Sequence, residues 1–551
     1  MVLFSLKKSS APDDRTLASF ISEPDKRLLD PPSIVPVTLR VICFSESTVT
    51  VSVPERIGDK PLSDLRMTVL PGFNSPDVVN DTRPNPYVVF LSIVINEPFH
   101  GAKNATRSIV IMSGERESNP RPLPWQGSVL SLNYPRNICE VYQKDFPSSS
   151  ISIIIDQQMQ LYNSLSQTKD TFKSLKKNEV SMYVCGITPY DTTHLGHAFT
   201  YLTFDILQRY LTYKGYTVTY TQNVTDIDDD ILKKAKEVGR DWQELGEWWT
   251  NKFLNDLNAM NIIMPTYYVK ATDTIDTIKE IIGELVTKNF AYEKEGNVYF
   301  RVSKDPEYGK LSRYSRDEMM KLSKERGANP SDPLKEDPLD FILWQKSTPD
   351  EPSWDSSWSK GRPGWHIECS AMVYKYLDKN IDIHGGGIDL IYPHHESEIA
   401  QSESFTGINP FVSYWMHTGA VKYEGEKMSK SIGNLVMVSD LLKKYSADVI
   451  RFALLMHHYR QPWEFDHEEL DEAKKKIELI ESALALKTEE QGSELKNMVE
   501  TFTSALDDDL NTPEALIGII NLAKETLKEP TKTKQQTLHD MVSLLGFRQT
   551  K

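Results

Sequence analysis

The chain has 551 residues, of which 39% are hydrophobic, 10% aromatic and 26% charged, and its net charge is −15. This is globular composition, enough for roughly two to four domains. Four cysteines rule out a disulfide scaffold, and the negative balance argues against a chain-wide basic surface for nucleic acid. The longest apolar run, Tyr87 to Ile95, is strand-sized, well short of the ~20 residues a membrane helix needs. The N-terminus places apolar residues before its lysines, the wrong order for a secretory signal. The expectation is a soluble, cytoplasmic protein without membrane contact.

Residues 1–155 carry 16 Lys+Arg and 16 Asp+Glu, so the acidic excess lies wholly in 156–551. Ten of the twelve histidines fall between His194 and His467. In the N-terminal third Pro and Ser are frequent and helical periodicity is absent. Short β-like runs (Val37 to Phe44, Val88 to Ile95) lack regular spacing, so the expectation is a poorly structured extension. Gly114 to Tyr134 is unusual. Glu117–Ser118–Asn119–Pro120 back-translates to the reverse complement of a tRNA T-loop, Trp125–Gln126 fits an anticodon loop, and Leu132–Asn133–Tyr134 fits a D-arm. This stretch reads as a translated antisense tRNA gene, with Met159 a candidate natural start.

From about residue 151 the pattern becomes regular. Val180 to Val184 is a short strand ending in CGITPYDTTHLGHAFTYL, followed by helical apolar spacing at Phe199, Leu202, Phe204, Ile206, Leu207 and Leu211. His194 and His197 flank the start of that helix, where exposed N–H groups suit phosphate. A second strand, Thr217 to Gln222, runs into NVTDIDDD. Strands alternating with helices predict a doubly wound parallel α/β sheet with ligands at the strands' carboxyl ends. The acidic residues Asp226 and Asp228 to Asp230 read as a solvated face or an interdomain hinge. Farther on, Lys427–Met428–Ser429–Lys430–Ser431 sits in a glycine-flanked loop able to close over phosphates.

HLGH together with KMSKS resembles the signature of class I aminoacyl-tRNA synthetases. GRPGWHIECSAM (Gly361 to Met372), IDIHGGGIDLIYPHHESEIAQSE (Ile381 to Glu403) and MHTGAVKYEGEKMSKS closely resemble the cysteinyl-tRNA synthetase family, from about Met159 to about Leu545. Cys185, Cys369, His394 and Glu398 are scattered over the chain, and by spacing alone the two cysteines read as ordinary buried thiols. The resemblance instead implies that these four hold one Zn²⁺, with His394 and Glu398 one helical turn apart. It further implies that Trp365 lies against bound cysteine. His366 and His395 are candidates to stand behind the ligands, and read equally as solvated or core histidines. Cys185, Gly186, Ile187, Thr188, Thr200, Asn223, Val224, Thr225, Gly387, Ile388, Asp389 and Lys430 would surround ATP or the adenylate. His194, His197, Lys427 and Lys430 would act on phosphate charge.

The implied reaction is ATP-dependent activation of L-cysteine, with Mg²⁺, and transfer to the 3′ end of cysteine tRNA by a monomeric ligase. Three features depart from that pattern. Ile187–Thr188–Pro189 and Glu325 to Pro330 (ERGANP) resemble a related ligase that joins cysteine to an amino sugar in mycothiol synthesis. Residues 471–551 hold 11 Lys+Arg against 15 Asp+Glu, a poor anticodon surface. Glu398 favours tRNA as acceptor, because the sugar ligase has no equivalent carboxylate. The expected organisation is an N-terminal extension (1–155), a catalytic domain (156–470) with an inserted α+β segment at about 255–345, and a C-terminal helical domain (471–551). Its apolar stripe would be Ile477, Leu479, Ile480, Leu484 and Leu486.

Overall fold

The computed structural model describes residues 158–548 apart from 191, 192 and 429–431, together with short strands within the first 110 residues. Two units separate, 1–128 and 129–551. In the first, Arg66–Val69 runs antiparallel to Phe90–Val94, inside the β-like run expected at Val88 to Ile95. The readings of 1–155 as an extension and of Gly114 to Tyr134 as an antisense tRNA gene lie outside the described residues.

The second unit opens with a hairpin, β1 (Gln160–Asn163) and β2 (Thr168–Thr171). Strand β3 (Glu179–Ile187), helix α1 (Leu195–Tyr213) and strand β4 (Thr217–Val224) follow as the first βαβ unit. Val180, Met182 and Val184 pack into one apolar cluster, whereas Tyr183 and Cys185 enter another, so the alternation of β3 serves both faces of the sheet. Helices α2 (Asp229–Val238) and α3 (Trp242–Ala259) lead to β5 (Tyr267–Lys270), which pairs parallel with β4.

A second sheet comes next. Helix α4 (Ile275–Thr287), β6 (Ala291–Lys294), β7 (Asn297–Phe300), α5 (Arg316–Glu325), β8 (Phe341–Lys346) and β9 (Gly361–Pro363) form an antiparallel α+β layer with strands in chain order. Its core is separate, built on Ile278, Ile282, Phe300 and Trp344. The stretch 255–345 thus includes β5 of the parallel sheet and leaves out β9. A four-residue strand between two helices carries too little periodicity to mark that boundary.

The chain then returns to the parallel sheet through α6 (Trp365–Tyr376), β10 (Ile381–Gly387), α7 (Glu396–Thr406) and β11 (Val412–Thr418). The five strands lie in the order β5-β4-β3-β10-β11, all parallel, with the change of direction at β3. That crossing point is where an open α/β sheet binds ligand. β12 (Val421–Tyr423) and β13 (Glu426–Lys427) lead into the KMSKS segment, and α8 (Val438–Leu441) and α9 (Ala447–Leu455) follow it.

β14 (Trp463–Glu464) precedes four helices, α10 (His467–Leu484), α11 (Lys496–Asp507), α12 (Thr512–Lys528) and α13 (Lys532–Leu544). Leu470, Ala473, Ile477, Ile480 and Ala483 make the buried face of α10. Leu479 and Leu484 are half-buried beside it, and Leu486 lies past the helix end. Among the described residues no helix is long and apolar enough to cross a membrane.

Candidate functional site

Register brings the site together. Tyr183, His384 and Trp415 are in-register neighbours on β3, β10 and β11, and their rings touch. Two residues farther toward the carboxyl end, Cys185 is on the same face as Tyr183, and His417 pairs with Gly386. A Cβ on Gly386 would come within 3.1 Å of the His395 ring, so the glycine leaves room for that imidazole. Helix α6 supplies Cys369 one turn after Trp365. His394 lies in a kinked turn ahead of α7, and Glu398 is in the first turn of that helix.

The four side chains converge. Cys185 Sγ is 3.9 Å from Cys369 Sγ and 3.8 Å from Glu398 Oε1. His394 Nε2 is 3.1 Å from the same Glu398 oxygen. All four donor atoms lie within 4.8 Å of one another, and all four residues are buried. Ligands of one tetrahedral ion with ~2.3 Å bonds to sulfur stand about 3.8 Å apart, so the spacing fits a single metal. A second quartet shares Cys185 and Glu398 but replaces Cys369 and His394 by His384 and His395. The first, with two sulfurs, is the softer set.

Electrostatics point the same way. Burial pushes the Cys185 thiol and the Glu398 carboxyl well up, and holds the His394 imidazole well below its usual value. Among the described residues no lysine or arginine pairs with Glu398, whose other oxygen meets His384 Nε2 at 3.0 Å. The Cys185 thiol and the Glu398 carboxyl, raised by burial with no compensating charge, stay protonated, and a divalent cation would reverse that balance. Burial likewise pushes His366, His384 and His417 down to about 3, leaving them neutral. His366 Nδ1 faces His394 Nδ1 at 3.0 Å, and Trp365 stacks on the His394 ring at 4.2 Å. Behind Cys185 runs a relay: His395 Nε2 at 3.2 Å, then His395 Nδ1 to His417 Nε2 at 2.8 Å, then His417 Nδ1 to the Ser164 hydroxyl at 2.7 Å.

Next to the quartet, the ends of β3 and β4 are laced together. The Gly186 N–H donates to Asn223 Oδ1 (2.7 Å), and the Asn223 amide donates to the Thr225 hydroxyl (3.3 Å). The Thr225 N–H donates to the Ile187 carbonyl at 3.0 Å, and Val224 is buried beneath. A Cβ on Gly186 would fall 1.6 Å from the Asn223 carbonyl oxygen, so only glycine fits there. Thr188 donates to Asp228 at 3.0 Å, and the Thr200 hydroxyl meets that of Thr418 at 2.8 Å. The acidic run is not a solvated face throughout: Asp228 caps α2, and Asp226 accepts from the Thr272 N–H and hydroxyl.

His194 caps α1, accepting from the His197 N–H at 3.4 Å, and the two rings stack with centroids 3.7 Å apart. The Leu195 N–H donates to Val436, and His194 bridges Met437, so the segment after KMSKS is hydrogen-bonded to the start of α1. Beyond Gly387 and the exposed Ile388, Asp389 Oδ2 meets Lys427 Nζ at 2.9 Å and Arg326 Nη1 at 3.4 Å. Lys430 lies outside the described residues. His384, His417 and Arg326 were given no role from the sequence, although they lie within the motifs IDIHGGGIDL, MHTGAVKYEGEKMSKS and ERGANP.

Residues 171–475 match the tRNA synthetases class I (C) catalytic domain, and 501–547 match the DALR domain. A cysteine–tRNA ligase of Dehalococcoides mccartyi is 48% identical over 372 residues, 67% of this chain and 80% of that protein. This chain belongs to the cysteine–tRNA ligase family. Relatives so named from Pyrococcus furiosus and Legionella pneumophila are 46% and 45% identical, over 69% and 71% of this chain and 83% and 85% of theirs. Among solved structures, a Mycobacterium tuberculosis methionyl-tRNA synthetase with methionyl-adenylate aligns over 67% of this chain and 89% of that one, at 16% identity and a TM-score of 0.49.

Proposed function

We propose that the chain activates L-cysteine with ATP and Mg²⁺ and transfers it to the 3′ end of cysteine tRNA. One observation carries the reading: the buried quartet Cys185, Cys369, His394 and Glu398, whose spacing suits a single Zn²⁺. Bound zinc supplies a soft Lewis-acid site that a cysteine thiolate occupies readily and a serine hydroxyl does not, a discrimination that shape alone makes weakly. Trp365 walls the pocket beside His394. Gly186, Ile187, Thr188, Asn223, Val224 and Thr225 line the joined strand ends, where the adenylate would lie. His194 and His197 present the start of α1 to phosphate. Lys427 and Lys430 add positive charge as pyrophosphate departs, with Thr200, Gly387, Ile388 and Asp389 around the nucleotide. No protein nucleophile is needed: the cysteine carboxylate attacks the α-phosphate, and these residues position and neutralise.

Support for tRNA over an amino sugar as acceptor comes from Glu398, the fourth donor, and from the relatives' names. The buried free thiols Cys185 and Cys369 suit a reducing cytoplasm. We further propose that the chain acts as a monomer. Purified protein given labelled cysteine, ATP and either total tRNA or glucosaminyl-inositol decides the matter. The expected product is base-labile cysteinyl-tRNA; a base-stable amide on the sugar, without charged tRNA, overturns the reading.

A further inference from the structure

Glu368 is 0% exposed, and neither carboxylate oxygen closes a hydrogen bond among the described residues. A buried carboxyl group without partners is costly, and such groups in native proteins require an explanation. Its acidic neighbours do not share its isolation. Asp228 takes the Ile231 N–H and the Thr188 hydroxyl, and Asp226 takes both donors of Thr272. Arg362, buried on β9, pairs with Asp229. Among the described residues no lysine, arginine or histidine pairs with Glu368.

The surroundings of Glu368 define what it can meet. It precedes Cys369 on α6, and it lies one turn from Trp365. The Thr225 hydroxyl lies close by, not aligned for a full hydrogen bond, and the carboxyl groups of Asp226 and Asp228 are among its surroundings. Thr225 accepts from Asn223, which leaves its own O–H to donate. Glu368 therefore belongs to the chain of contacts that begins at Gly186, the residue after Cys185. In cysteine the sulfur and the ammonium nitrogen are only three bonds apart, so a substrate thiolate on a metal ion held by Cys185, Cys369, His394 and Glu398 would bring its ammonium to this neighbourhood.

We propose that Glu368, assisted by the Thr225 hydroxyl, is the anionic seat for the α-ammonium group of cysteine, and so sets specificity for an amino acid over a simple thiol. The idea rests on the function proposed above, with the quartet taking the sulfur end. A primary ammonium ion offers three donors, which would satisfy both oxygens of Glu368 and complete a charge-assisted pair in a water-poor site.

The test compares E368Q and E368D with the native protein in cysteine-dependent ATP–pyrophosphate exchange. Cysteamine, which keeps the ammonium, and 3-mercaptopropionate, which lacks it, serve as competitive inhibitors. In the native protein cysteamine should inhibit at least tenfold more tightly than 3-mercaptopropionate. E368Q should retain its metal content and raise the KM for cysteine thirtyfold or more, while the inhibition constant of 3-mercaptopropionate changes less than threefold. E368D, which keeps the charge, should recover part of the loss.

Equal weakening of cysteine and 3-mercaptopropionate, an unchanged KM, or native protein indifferent to the ammonium group overturns the proposal. The inhibitor comparison on native protein decides even if E368Q fails to fold. A native protein without any cysteine-dependent exchange would instead remove the proposed function itself.

Discussion

Cys369 and Glu398 arrive at one spot from two helices that share no sequence neighbourhood, and each is buried. Replacing Cys369 by Ser changes one atom and little volume, so the fold should survive; metal affinity should not, because a hydroxyl is a poor ligand for a soft site. The expected outcome for Cys369→Ser is a melting temperature within a few degrees of native metal-free protein, less than one tenth of the bound zinc, and loss of exchange activity. Full exchange activity in the folded variant would remove Cys369 from the site. Asp228 shows a different residue-scale effect. Burial pushes its carboxyl up to about 6 from 3.8, although the Ile231 N–H and Thr188 hydroxyl donate to it. The folded value is the higher one, so the stability this group contributes is complete below about pH 4 and is lost as pH rises through about 6. Asp228→Asn keeps a capping oxygen without the buried charge. It should gain on the native protein between about pH 4 and 7 by up to about 3 kcal/mol, read from paired denaturant titrations. A difference that does not change with pH contradicts the assignment.

At the scale of elements, the meeting of β3 and β4 is the tightest joint near the site. The Asn223 carbonyl leaves no space for a side chain at Gly186, and the Gly186 N–H anchors Asn223. Gly186→Ala must push these strand ends apart, with a cost of about 3 kcal/mol and a loss of exchange of at least a hundredfold. Native-like activity would mean that the adenylate does not use this joint. The second joint is the hydrogen-bonded contact of 193–195 with 436–438, which links the start of α1 to the segment following KMSKS. Two signature motifs far apart in the chain are thereby held as one unit, as a site built for positioning requires.

Across the whole second unit, a buried ion cluster locks the C-terminal end to the parallel sheet's first helix. Arg451, 0% exposed, pairs with Asp205 of α1 and donates to the carbonyls of Leu545 (2.7 Å) and Met260 (3.0 Å). Burial alone would raise the Asp205 carboxyl, but Arg209 and Arg451 hold it below its usual value. Breaking a buried pair from one side leaves charge and carbonyls unanswered. Arg451→Met should therefore lower stability by about 3 kcal/mol, measured by chemical denaturation with tryptophan fluorescence. The helices from α10 onward should melt together with the sheet; two separated transitions in the native protein would show that this lock is not what joins them.

The local elements were legible because they depend on near neighbours. Alternation in Val180 to Val184 and helical spacing from Phe199 to Leu211 mark β3 and α1. The family of the chain was legible from long motifs in order, and with it the four donors that the structure brings within 4.8 Å. The edge strand β5, the true extent of the second sheet and the end of the stripe before Leu486 were not legible. Short strands and helix ends are set by what packs on them. His384 and His417 join the site only through strand register, Arg326 only because α5 ends over Asp389, and Glu368 stands out only once its partners are counted. The sequence by itself determined the elements and the chemical types available; the tertiary structure alone decided which of those side chains meet and which buried carboxyl group is left without a partner among the described residues, because burial and register are properties of contacts between distant segments, and no local pattern encodes them.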